Sequence, residues 1–235
     1  HPSTNHKNIS IMYLMLGSWS GMIGMSLSMI IRTEMININN NMNNNSFYYS
    51  TITIHALMMI FFMTMPIIIG SMSNWLIPMM ILSTDLIFPR MNNLSFWLLI
   101  PSLKLMIINM MIFNNINTGW TLYPPLITQN NMSINFTILS LHINGLSSIL
   151  SSMNFMISMI YLKPFNSNMI NLNLFCWAIM ITSILLISSL PVLASGITMI
   201  IMDMNFKSMF FNPNGNGNPI MFQHIFWFFG HPESL

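Results

Sequence analysis

The chain has 235 residues, 54% of them hydrophobic and 4% charged, with a formal net charge of +2. A soluble domain carries about 25% charged residues, so this composition cannot cover a globular surface in water, and without a basic run it excludes nucleic acid as a partner. One cysteine, Cys176, excludes a disulfide framework and every multi-cysteine zinc or iron–sulfur site.

What remains is an all-α, multi-pass protein of the lipid bilayer, a single transmembrane domain over residues 1–235. Its 29 methionines are scattered through every apolar segment. They read as compositional bias filling positions where Leu or Val would serve, rather than as a copper-binding array. The chain begins with His1 and stops within a helix, so we expect a piece of a longer reading frame.

Five apolar runs are long enough to cross about 30 Å of hydrocarbon, and a sixth is begun. The first, about Ile11 to Ile31, holds Gly17-xxx-Gly21 and Ser20-xxx-Gly24, spacings that admit another helix at close range. It ends at Arg32 and Glu34. Residues 37–46, NINNNMNNNS, form a low-complexity connection with no apolar face.

The second span runs from about Thr51 to Ile69 or further, carries His55 near its start, and meets Pro66 and Pro78, each expected to kink or end it. Asp85 and Arg90 follow in the loop LSTDLIFPRMNN. The third span, about Phe96 to Phe113, contains Lys104, whose stem is long enough to snorkel. The loop TGWTLYPPL has the aromatic character of a membrane interface.

The fourth span, Met132 to Tyr161, places Ser147, Ser148, Ser151 and Asn154 on one helical face. Such a stripe can hold water inside a bundle, although hydroxyls bonding their own backbone is the commoner arrangement. The fifth, about Phe175 to Met202, has Pro191 as a kink. NPNGNGNP is then a turn, and Pro219 opens the last helix at a favoured first-turn position. With the N-terminus inside, the inner segments hold Lys7, Arg90 and Lys163 against Arg32 and Lys207 outside, a small bias toward that orientation.

The closing stretch FQHIFWFFGHPESL places His224 and His231 on nearly one face, with Glu233 roughly opposite His231. Pro232 takes the backbone donor from the carbonyl of Phe228, so the helix can open locally beside His231. A histidine there suits a metal or a proton. A packing histidine bonded to a carbonyl fits the same pattern, although ionisable groups inside a membrane usually face a cavity or a partner.

Several strings, in order over nearly the whole chain, resemble subunit I of the mitochondrial cytochrome c oxidases, a haem–copper oxidase family. They are STNHK at 3–7, IIRTE at 30–34, HALMMIFFMTMPIIIG at 55–70, NWLIP at 74–78, FPRMNNLSFWLL at 88–99, TGWTLYPPL at 118–126, SLPVLASGITM at 189–199 and QHIFWFFGHPE at 223–233. The resemblance covers the N-terminal half of a twelve-helix subunit. It implies reduction of oxygen to water with electrons from cytochrome c, coupled to proton pumping across the mitochondrial inner membrane, with haem a, haem a3 and copper (CuB) as cofactors and subunits II and III as partners.

By the same resemblance His55 is an axial ligand of haem a, and the other ring nitrogen needs an acceptor to fix its tautomer. His231 is one of three histidines on copper. Glu233 relays protons at the top of a channel entered at Asp85, with Asn74, Asn92, Asn154, Ser147 and Ser148 along its water chain. Arg32 bonds the haem formyl group, Trp120 lies near a haem propionate, and Glu34 serves a peripheral cation site.

The remaining metal ligands belong to helices after residue 235, so the chain alone is expected to be inactive. Two residues depart from the family. Lys104 stands at an uncharged position, and Leu235 replaces a tyrosine that supplies an electron and a proton. We expect the terminal residues, His1-Pro2 and Leu235, to be foreign. The rival readings are a haem–copper quinol oxidase and a polytopic transporter without a cofactor.

Overall fold

The computed structural model describes residues 4–36, 45–113, 116–128, 132–163 and 172–234, and of Asn45, Phe113, Glu233 and Ser234 the backbone alone. Every long element among them is helical: α1 (His6–Ile36), α2 (Asn45–Leu57), α3 (Ser73–Ile81), α4 (Pro89–Ile108), α5 (Met132–Tyr161), α6 (Leu174–Asn205) and α7 (Pro219–Ser234). Two π-helical segments, Met58–Thr64 and Pro66–Met72, join α2 to α3 without a break, so residues Ser46–Ile81 form one continuous apolar rod. Among the described residues, five helical stretches are long and apolar enough to span a bilayer. The asparagine-rich connection 37–46 falls largely outside the described residues.

Small residues decide how α1 meets the second span. A Cβ added at Gly17 would lie 2.6 Å from Ile67, at Gly21 2.8 Å from Met63, and at Gly24 2.6 Å from Met59. The partner's numbers fall as those of α1 rise, so the two run antiparallel with their backbones in close approach. Between α4 and α5 the contact is polar. Ser95, Ser102 and Asn109 recur every seven residues and meet Ser147, Ser140 and Ser133, which also recur every seven, in antiparallel order. Ser102 and Ser140 each donate to the other's carbonyl, at 2.8 and 2.7 Å. In lipid, where apolar burial drives little association, such interhelical bonds and close packing hold helices together.

Pro66 does not end the second span. It lacks the N–H that would bond Phe62 in α register or Phe61 in π register. Other helices supply both donors: Ser20 Oγ donates to the Phe62 carbonyl at 2.6 Å, and Asn144 Nδ2 donates to the Phe61 carbonyl at 3.1 Å. Both side chains are buried. Replacing Ser20 with alanine is expected to lower stability by about 1–3 kcal/mol, because a buried carbonyl loses its donor. Thermal unfolding of the detergent-purified protein measures this.

Two boundaries differ from expectation, and a third falls in the extension left open. α1 continues through Arg32 and Glu34 to Ile36. α4 begins at Pro89 rather than near Phe96, because Pro89 takes a first-turn position and Asn92 and Asn93 find buried surroundings. The second span reaches Ile81 and stops at Leu82, whose left-handed conformation (φ 60°) caps it. At α6, Asp203 accepts from Ser208 Oγ and from the backbone N–H groups of Phe210 and Phe211, which ties the following turn to the helix end. α7 starts at Pro219, as the turn before it requires.

Candidate functional site

Two groups of candidate side chains emerge. The first surrounds His55 in α2. Its Nδ1 lies 2.8 Å from the carbonyl oxygen of Gly24. A carbonyl only accepts, so Nδ1 carries the proton and Nε2 keeps its lone pair. Such an imidazole, with its tautomer fixed from behind, fits a transition-metal ligand. The missing side chain of Gly24 is what lets the α1 backbone come this close.

The same end of the bundle is tied together by aromatic rings. Thr53 Oγ1 donates to the Thr118 carbonyl, anchoring the loop that carries Trp120 to α2. Trp120 is half-buried and stands edge-on to Phe226 (5.3 Å between centroids) and Trp227 (6.2 Å) of α7. Trp227 Nε1 donates to Tyr123 Oη at 2.5 Å, and Phe229 stacks on Phe61 at 5.9 Å. Arg32 and Glu34 sit exposed at the far end of α1, and His224 and His231 are both exposed on α7. The Glu233 side chain and Leu235 lie outside the described residues. Among the described residues no three His, Cys, Asp or Glu side chains converge as a metal site.

The second group is a line of polar side chains inside an otherwise apolar bundle. It opens at Asp85, partly exposed, whose Oδ1 lies 3.4 Å from Nδ1 of the nearly enclosed His6. Asn154 clamps the adjacent loop, accepting from the Phe88 N–H at 3.1 Å and donating to its carbonyl at 3.2 Å. Asn92 Nδ2 donates to Asn74 Oδ1 at 2.8 Å, and Asn74 Nδ2 donates to the Gly70 carbonyl. The Oδ1 atoms of Asn92 and Asn93 are buried without a hydrogen-bond partner among the described residues, the situation that ordered water resolves.

Beyond them Ser95 donates to the Asn92 carbonyl, and Tyr13 Oη lies 2.7 Å from Ser95 Oγ and 3.5 Å from Ser151 Oγ. Ser147 donates across to the Ser95 carbonyl at 2.6 Å. A cavity of about 30 Å³ follows, lined by Tyr13, Asn144, Ser147, Ser148 and Ser151 among others. That volume admits about two waters. It adjoins a second cavity of about 360 Å³ between the second span, α5 and α6, with apolar walls.

The structure therefore links Asn74, Asn92 and Ser147 through hydrogen bonds and sets Ser148 beside Ser147 on the small cavity. It places Asn154 on the loop that follows Asp85, whose own polar contacts among the described residues are His6 and the Leu86 N–H. Within the α5 stripe Ser148 and Ser151 bond their own helix, the commoner of the two arrangements left open by spacing, while Ser147 takes a third course and bonds α4. Sequence reasoning gave no role to Tyr13, Ser95, Asn144 or the Gly24 carbonyl. A tyrosine in an apolar helix and polar residues recurring every seven positions were the available signals.

The family model described as "Cytochrome C and Quinol oxidase polypeptide I" matches residues 8–235. The chain is 45% identical over 235 residues to cytochrome c oxidase subunit 1 of Pecten maximus, covering 98% of this chain and 49% of that protein. Against the same-named protein of Mytilus edulis the identity is 43% over 235 residues, with coverages of 98% and 43%. For that of Eremothecium gossypii it is 39% over 236 residues, with 98% and 44%. The chain thus spans about half the length of the curated relatives it matches. None of these names favours a transporter without a cofactor. With its five bilayer-length helices and a family match over nearly its whole length, the chain is a multi-pass membrane protein that belongs to the cytochrome c and quinol oxidase polypeptide I family.

Proposed function

We propose that the chain is part of the catalytic subunit of a cytochrome c oxidase, which reduces oxygen to water with electrons from cytochrome c and moves protons across the mitochondrial inner membrane. The observation that carries this reading is the His55 imidazole, held by the Gly24 carbonyl so that Nε2 is available to a metal. Bound haem a, haem a3 and copper (CuB) supply electron transfer and oxygen reduction. This chain's own residues hold and feed them. His55 would offer a nitrogen donor to haem a, and His231 one donor to copper. Arg32 and Trp120 would interact with the haem and Glu34 with a cation, and the partners would be subunits II and III.

The polar line is the proton route in this reading. Protons enter at Asp85, pass the Asn74–Asn92 pair and the Tyr13–Ser95–Ser147 cluster through bound waters, and continue toward Glu233. The relatives' names support cytochrome c rather than a quinol as donor. Turnover of the full-length enzyme tests the reading: we expect oxidation of reduced cytochrome c, and quinol turnover without it defeats the proposal. Replacing Asp85 with asparagine is expected to slow proton uptake by the reconstituted enzyme; unchanged uptake refutes the route.

A further inference from the structure

We propose that Asn144 seats a water at the junction of the two cavities and so carries the polar line into the apolar one. Asn144, Ser148 and Met65 belong to the walls of both cavities. On one side lie the hydroxyls of Tyr13, Ser147 and Ser151; on the other the lining is Leu, Ile and Phe with His142. Water has several partners in the first cavity and few in the second, so the junction is where a hydrated chain would otherwise stop.

The Asn144 side chain is buried (4% exposed) and cannot swing freely, because Nδ2 donates to the Phe61 carbonyl at 3.1 Å. That carbonyl is the one to which residue 66 would donate in π register, and residue 66 is proline. The demand of the second span for a donor therefore fixes the carboxamide. Its Oδ1 accepts no bond among the described residues and is left as an acceptor for water. Ser148 is not equivalent, since its hydroxyl donates to its own helix at the Asn144 and Gly145 carbonyls. His142 is not equivalent either: its Nδ1 is bonded at the Ile138 carbonyl and its buried Nε2 has no partner among the described residues, but it lines the apolar cavity alone and so does not stand at the junction. Asn144 is thus a positioning residue, and its functional effect rests on the proton-route reading above.

The test uses the full-length subunit in its assembled complex. An experimental map that resolves waters should show one within about 3 Å of Asn144 Oδ1, and none there in Asn144→Leu, which keeps the volume without the acceptor. Proton uptake should slow about fivefold in Asn144→Leu, the factor corresponding to one neutral hydrogen bond, and recover in Asn144→Gln. A dry Oδ1 bonded to protein overturns the inference. So does unchanged uptake in Asn144→Leu when Asp85→Asn, run in parallel, slows it. If Asp85→Asn has no effect, the route reading fails by itself, and the wild-type map alone decides whether Asn144 seats the water.

Discussion

Exchanging His55 for leucine in the full-length subunit removes one haem from the assembled enzyme and abolishes its oxidase turnover. Leucine fills much of the same space but has no donor atom, so any loss comes from coordination rather than from a void. The case for a large effect lies in how the imidazole is held. Nδ1–H is engaged by Gly24, which leaves Nε2 as the only ring atom able to ligate, already oriented by α1. His224→Leu is the matched control, since His224 is an exposed α7 histidine with no such backing bond among the described residues. Pyridine haemochrome quantitation of the purified complexes reads both variants. A His55→Leu enzyme retaining its complete haem content ends the ligand assignment, whereas equal losses in both variants indicate failed assembly.

How much of this could be read from residues alone depends on where the partner of each group comes from. The fourth span coincides with α5, Met132–Tyr161, because its signal is continuous apolarity bounded by polar loops. The second span does not end at its local signal. Pro66 reads as a kink or an end, yet the helix continues because Ser20 and Asn144, 42 and 83 residues away from the carbonyls they serve, supply the donors. No window around Pro66 contains that information. Likewise Asn92 reads as loop until Asn74 is seen to accept from it.

The candidate site divides the same way. His55 was legible as a ligand only through resemblance, since an apolar helix with one histidine is equally a packing arrangement. The Gly24 carbonyl behind it has no sequence signature beyond a small residue at a crossing. The α4–α5 ladder was legible in principle, as Ser95, Ser102 and Asn109 against Ser133, Ser140 and Ser147 repeat at seven. A period-seven polar seam within bilayer-length spans marks a helix pair, just as an apolar one marks a coiled coil in water.

Gly70→Ala should be the most damaging single-methyl change in the polar line. A Cβ there would lie 2.5 Å from Cδ1 and 2.9 Å from Cε1 of the Tyr13 ring. The ring is rigid, so it must move as a whole, and its hydroxyl must leave Ser95 Oγ, now 2.7 Å away. Overpacking of this kind costs about 1–3 kcal/mol, and it also disconnects the Ser95 and Ser151 hydroxyls from the phenol. Gly119→Ala provides contrast, because the nearest atom to its added Cβ is 3.8 Å distant. We expect that variant to stay within about 0.5 kcal/mol of the parent. The decisive measurement is a double-mutant cycle with Tyr13→Leu, scored by thermal unfolding and proton uptake. If the clash is the cause, the flexible leucine relieves the Gly70→Ala stability penalty, and the methyl adds no further slowing once the phenol is gone. Additive penalties would instead place the damage in the π-helical backbone around Gly70, whose carbonyl accepts from Asn74.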